Sequence, residues 1–165
     1  MCTIPTQQDL ERLKGYVDSA LDILYTKDKY LIENKVHERT IVARFVIYLK
    51  EMISVDTVFC SYDLDPEYNR NGGSSKEIDG YPNGIIPDVL LHIRGKGLRF
   101  SKDETNILAL EFKTYWNNTQ KEYEEAEYKV LKLKEEYNYH LGAVIVLKEH
   151  REDTETSWKK INIRK

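Results

Sequence analysis

Two apolar runs that end in charge constrain the folding of this chain more than any other feature. Ile107-Leu108-Ala109-Leu110 runs directly into Glu111-Phe112-Lys113, and Ile85-Ile86 leads through Pro87 into Asp88. Short apolar runs of this kind read as buried strands. Both carboxylates are therefore expected at strand ends, where an apolar sheet emerges into solvent. Side chains on a strand repeat with period two, so Glu111 and Lys113 share one face while Phe112 turns to the other, toward the core. Asp88 lies 23 residues before Glu111, room enough for a strand, a hairpin loop and a return strand that brings the two acids side by side.

Two converging carboxylates form a hard oxygen site suited to Mg²⁺ or Mn²⁺, ions that keep several waters for a substrate phosphate to displace. Lys113 would orient or deprotonate an attacking water. The competing explanation is an ion pair at a sheet end, and the strand context and spacing favour the site.

Composition sets the frame for that chemistry. With 165 residues, 41% hydrophobic and 32% charged, the chain is expected to form one domain over 1–165, with its core at about 35–147 and a tail at 148–165. A net charge of −3 argues against broad nonspecific affinity for nucleic acid, although a local basic groove and a bound cation can still attract phosphate. Cys2 and Cys60 lack metal-ligand spacing, and no signal peptide or membrane-spanning run is visible. A reducing cytoplasm and no membrane association are expected. Asn117-Asn118-Thr119 matches a glycosylation sequon, which without a secretion signal reads as chance.

Periodicity predicts a helix over 7–25 from Leu10, Leu13, Val17, Leu21 and Leu24. It predicts a second over 35–53, burying Ile41, Val42, Phe45, Val46, Leu49 and Ile53. A short strand is expected over 57–62, followed by a long loop over 64–83 rich in Gly, Asn, Asp and Ser. The central strands are expected at 86–93 and 107–113, joined by an exposed hairpin connection over 95–106. A helix over 119–137 with Tyr123, Ala126, Val130 and Leu133 on one face, then a strand over 142–147, complete the core. The tail, with Trp158 and Ile161-Asn162-Ile163, is a candidate edge strand.

Other residues are candidates for roles around the site. Arg39, Arg44, Arg70, Arg94, Lys96, Arg99 and Lys102 are candidates for phosphate contact, against the plainer reading of scattered solubilising charge. Trp116 and Asn117 follow the catalytic strand closely enough to meet a base or sugar, against packing under the next helix. Glu67 and Tyr68 lie in the long loop and are left outside the core site. His37, His92, His140 and His150 show no ligand spacing, and the charges from Lys121 to Lys134 read as a solvated helix face.

Ile-Pro-Asp at 86–88 and Leu-Glu-Phe-Lys at 110–113, with an amphipathic helix directly after, resemble the PD-(D/E)XK nuclease superfamily. The resemblance covers roughly 35–147. Glu67-Tyr68-Asn69-Arg70 and His92-Ile93-Arg94-Gly95 extend it toward a group of small single-domain members. It implies an α/β (α+β), restriction-endonuclease-like core: a central mixed sheet of four or five strands flanked by helices. It also implies metal-binding acids at Asp88 and Glu111, a catalytic lysine at Lys113, and the Phe112 backbone carbonyl as a further ligand. A glutamate that many members place on a helix before the core would fall on Glu38, a position that helix capping explains equally well.

The expectation is a metal-dependent nuclease acting on nucleic acid, with DNA the favoured polymer. Arg39, Arg94, Trp116 and Asn117 would be its nucleic-acid contacts, and a homodimer is compatible with it. The alternatives are a noncatalytic nucleic-acid-binding or protein-interaction module that retains the fold, and an acidic protein that mimics nucleic acid.

Overall fold

Local signals start and stop the helices as the residue pattern requires. In the computed structural model, which describes residues 4–96, 99 and 105–160, Thr6 opens α1 (Gln7–Lys27) through a capping box with Asp9. That pair satisfies amide groups the first turn leaves unbonded. Leu10, Leu13, Val17, Leu21 and Leu24 form its buried stripe. A short α2 (Lys29–Glu33), not foreseen, precedes α3 (Glu38–Val55), which His37 caps. Tyr48 is buried on α3, whereas Val46 is only half-buried, a correction to the expected face.

The sheet has five strands: β1 (Asp63–Pro66), β4 (Val89–His92), β5 (Asn106–Thr114), β6 (Leu141–Leu147) and β7 (Glu155–Trp158), in that spatial order. Only β5 and β6 pair in parallel, with α4 (Gln120–Tyr137) between them in sequence; every other pair is antiparallel. The architecture is therefore α+β around a mixed sheet. A separate ribbon joins β2 (Arg70–Asn71) to β3 (Ser74–Ser75). Among the described residues no helix is long and apolar enough to cross a membrane.

Alternate β5 residues feed different layers. Leu108, Leu110 and Phe112 join the cluster built with α1 and α3, where Phe112 packs edge-on against Phe45 at 4.9 Å between ring centroids. Ala109 faces Leu133 and Tyr137 of α4. Close approach of α4 to the sheet depends on Gly142, where a Cβ would come within 2.6 Å of Val130 Cγ1 and 2.9 Å of Lys134 Cδ.

Three expectations need correction. Residues 57–62 do not form a strand: Asp56 Oδ1 accepts hydrogen bonds from the backbone N–H groups of Val58 (2.7 Å) and Phe59 (2.9 Å), which bends the chain into a 3₁₀ turn at Phe59–Ser61. The strand follows instead, as β1, inside the expected loop. The strand expected from Ile86 begins only at Val89, since Pro87 has no N–H to give to a ladder, and Ile86 is 49% exposed. The remainder of 67–88 is a docked segment. Tyr137 OH donates to Glu77 O (2.7 Å) and accepts from Glu77 N–H (3.0 Å), while Glu136 accepts from the Asp79 N–H. Trp158 does lie in an edge strand, whereas Ile161-Asn162-Ile163, Lys102, Cys2 and much of the 95–106 connection lie outside the described residues.

Two measurements test this framework. Burial works to raise the Asp56 carboxyl pKa, but Arg12, the Phe59 and Val58 amides and Tyr16 together hold it at about 2 against an ordinary 3.8. Its stabilisation is thus present above the ordinary value and is lost as pH falls through about 2. Asp56→Ala should cost about 2–4 kcal/mol in urea unfolding at neutral pH, because Arg12 and two amides lose their acceptor, with a gap that narrows in acid. Gly142→Ala should cost about 1–3 kcal/mol by pushing α4 outward; unchanged stability would show that α4 can move freely.

Candidate functional site

The site forms where β5 outruns β4. Their register pairs Val89 with Leu110, and one further step sets Asp88 across from Glu111. Beyond that point the ladder between β4 and β5 stops. The Asp88 carboxylate fills the gap, accepting a hydrogen bond from the Phe112 N–H at 2.6 Å. On its other flank β5 stays paired with β6 through Glu111↔Val144 and Lys113↔Val146, so the strand that carries the acid and the lysine is rigid. Asp88 stands at the entry to β4 as expected, whereas Glu111 lies inside β5 rather than at its end.

Glu111 is 2% exposed, and its Oε1 has no hydrogen-bond partner. Burial pushes its pKa up, to about 8, and the neighbouring Asp88 charge adds to the rise; Lys129 and Lys113 oppose it only in part. Asp88 is raised too, chiefly by burial, against the Phe112 hydrogen bond and the two lysines. A buried and a half-buried carboxylate that resist joint ionisation mark a place where positive charge is wanted.

Both nearby lysines stand off. Lys129 Nζ on α4 is 3.7 Å from Glu111 Oε2, and Lys113 Nζ is 3.7 Å from Glu38 Oε1 at the start of α3. Burial raises the Glu38 pKa, Lys113 opposes that rise, and Asp88 reinforces it. The structure thus gathers Asp88, Glu111, Lys113 and Glu38, with Glu38 standing at Lys113. Among the described residues no group of three or more His, Cys, Asp or Glu is gathered to hold a metal ion. The side chains here that could serve a hard divalent cation as ligands are the two carboxylates Asp88 and Glu111, the latter with an unpartnered Oε1. Such a count suits Mg²⁺, which binds through one or two carboxylates plus waters and substrate oxygens.

The candidate nucleic-acid contacts divide. Arg39 stays with the site, its Nε 2.7 Å from Glu67 Oε1 at the mouth of a hollow of about 140 Å³ lined by Val42, Ala43, Pro66 and Asp88. Trp116 and Asn117 line a second hollow of about 420 Å³ with Lys35, His37 and Thr114, and Glu38 borders both. Arg94 does not join them. It binds Asp65 through two guanidinium nitrogens near the opposite end of β1 and β4, where Asp65 also holds His92 at 3.0 Å. Arg44 is engaged by Asp28 and Tyr48, and Arg99 by Glu136.

Two further residues stand at the site without a mark in the sequence. Lys129 belongs to a charged helix face, yet it flanks the buried stripe Ala126–Val130–Leu133, a position that aims a long side chain along the sheet toward Glu111. Glu67 belongs to the segment expected as a long loop. It adopts a left-handed backbone, φ +50°, and its N–H bonds Asp88 O at 3.1 Å. A non-glycine residue held there carries strain, which folds concentrate near working sites.

Comparison with family models, curated proteins and solved structures returned no match for this chain.

The electrostatics yield a test that needs no substrate. Folded Glu111 holds its proton to higher pH than the ordinary 4.5, so the folded state loses stability as pH rises from about 4.5 toward about 8. In chelator, Glu111→Gln should therefore raise unfolding stability near pH 8 by on the order of 2 kcal/mol and leave it unchanged near pH 4.5. A variant less stable than wild type at high pH would show that the carboxylate is satisfied by its surroundings.

Proposed function

We propose that this chain is a divalent-metal-dependent nuclease that hydrolyses phosphodiester bonds, with DNA the favoured polymer, centred on Asp88, Glu111 and Lys113. The observation that carries the reading is the pair of facing carboxylates, half-buried Asp88 just before β4 and buried Glu111 on β5, the latter with an oxygen that meets no donor. A structural ion pair would give each buried carboxylate a cation at hydrogen-bonding distance. Lys129, at 3.7 Å, stands beyond it. Support for the PD-(D/E)XK resemblance comes from the order of β4, β5, α4 and β6 and from the mixed sheet. The proposal extends to the fold, which we read as restriction-endonuclease-like.

Asp88 and Glu111 would hold Mg²⁺ or Mn²⁺, which would supply Lewis-acid polarisation of the phosphate and lower the pKa of bound water. The chain's own groups account for the rest. The Phe112 N–H fixes one Asp88 oxygen and thereby aims the carboxylate. Lys113, kept near the acids by Glu38, is placed to orient a water and to offset the charge that develops in a phosphoryl transition state. Glu38 acts in this scheme as a positioning residue for Lys113. Lys129 restrains Glu111 from the α4 side.

The test is cleavage of labelled linear, circular and single-stranded DNA, and of RNA, in Mg²⁺ or Mn²⁺ by wild type, Asp88→Ala and Lys113→Ala. Wild type should cut, chelator should stop it, and each variant should be slower by on the order of 10²-fold or more. Calorimetry should show Mn²⁺ uptake lost in Asp88→Ala and kept in Lys113→Ala. Wild type that neither takes up Mn²⁺ nor cuts any polymer would leave the noncatalytic module as the function of the fold.

A further inference from the structure

The hollow beside Asp88 has walls that select its occupant. Val42 and Ala43 of α3 and Pro66 at the end of β1 make it apolar, Asp88 and Glu38 border it, and Arg39 with Glu67 stands at its mouth. An apolar cavity of ~150 Å³ accepts one six-membered ring, and this one measures about 140 Å³. A phosphate group is a poor occupant, since three carboxylates surround the space. A neutral flat ring carrying N–H donors suits it: the faces meet Val42, Ala43 and Pro66, and the donors meet Glu38, Glu67 or Asp88. Carboxylates accept readily from the exocyclic amine of a base, and an Arg guanidinium stacks on flat rings.

The second hollow, across Glu38, has the complementary chemistry. Lys35 and Asn117 offer donors there, and Trp116 offers a flat face. Thr114 is 1% exposed and its Oγ1 has no hydrogen-bond partner, which leaves a buried hydroxyl at the wall of this space. Lys35 holds a left-handed backbone, φ +51°, at the turn that carries its side chain into the lining. Glu38 lines both hollows and Asp88 lines the first, so a chain seated in both would pass Glu38 and Asp88 with its backbone.

We propose that the Val42–Ala43–Pro66 hollow is a subsite for one unpaired nucleobase bearing an exocyclic amine, with the adjoining sugar-phosphate lying in the Lys35–Thr114–Trp116 hollow. The substrate is then single-stranded nucleic acid, or a strand from which a base has been extruded. A paired and stacked base cannot enter a ring-sized space without leaving its helix. This subsite rests on the nuclease reading of the adjacent acids.

Fluorescence anisotropy of labelled DNA 12-mers, in Ca²⁺ to suppress cleavage, tests it with three probes: a strand of mixed C and A, an all-T strand, and the duplex of the first with its complement. Removal of one base-stacking contact weakens binding by about tenfold or more, the margin expected for the C/A strand over the duplex; loss of base-edge hydrogen bonds costs about tenfold, the margin expected over the all-T strand. Ala43→Trp, which fills the hollow from an exposed helix position, should abolish the preference, and Arg39→Ala should weaken it. Both variants should keep wild-type circular dichroism and wild-type Mn²⁺ uptake by calorimetry. Equal binding of duplex and single strand, or an unaltered preference in Ala43→Trp, would overturn the subsite while intact Mn²⁺ uptake leaves the nuclease reading standing. Wild type that takes up no Mn²⁺, or an Asp88→Ala protein that takes up as much, would overturn both.

Discussion

Strand β5 extends past the end of its antiparallel neighbour β4, and the exposed stretch of backbone is closed by a side chain instead of a strand. Asp88, the residue just before β4 begins, accepts the Phe112 N–H. That hydrogen bond does two things at once. It satisfies an amide that would otherwise be buried without a partner, and it draws a carboxylate across the sheet to face Glu111. The chemistry of the site therefore follows from a mismatch in strand length, and Pro87 enforces the mismatch by keeping β4 from starting sooner.

Such a site opposes folding, and the remainder of the molecule offsets that opposition. Glu111 is buried with an unpartnered oxygen, while Phe112, one residue on, is held between α3 and the sheet. The parallel pairing with β6 keeps both residues in place. The 67–88 segment is treated similarly: Glu67 N–H meets Asp88 O, and Tyr137 clamps Glu77 from both sides. Within that segment Lys76 is 1% exposed and lies 4.3 Å from the Tyr137 ring centroid, and burial pushes its pKa down to about 8. A cation buried against an aromatic face fastens the segment whose two ends border the acids.

Charge at the site is arranged in layers. Acids line the hollow between α3 and β1, whereas Lys35 lines the neighbouring hollow and Lys113 and Lys129 stand beside Glu38 and Glu111. A chain with net charge −3 thus sets cations close beside carboxylates that would otherwise repel one another.

The helices and central strands were legible in the sequence because each rests on a local period. Leu10, Leu13, Val17, Leu21 and Leu24 needed only one another, and Ile107–Leu110 announced a buried strand. Asp88, Glu111 and Lys113 were legible as a group because strand alternation and hairpin spacing place them together. Residues 57–62 misled, since β-branched and aromatic residues favour a strand while the preceding Asp56, bonded to Arg12 and Tyr16 on a distant helix, captured two amides and made a turn. Arg94 misled for the same reason, its partner Asp65 being 29 residues away in sequence. What the sequence by itself determined was α1, α3, α4 and the central strands β4, β5 and β6, with Asp88 brought opposite the strand that carries Glu111 and Lys113. Only the tertiary structure decided that Glu38 stands at Lys113, that Lys129 reaches Glu111, and that Glu67 and Arg39 close a hollow beside Asp88. Those contacts join α3, α4 and the end of β1, whose approach is set by packing across the sheet and leaves no period in the chain to read.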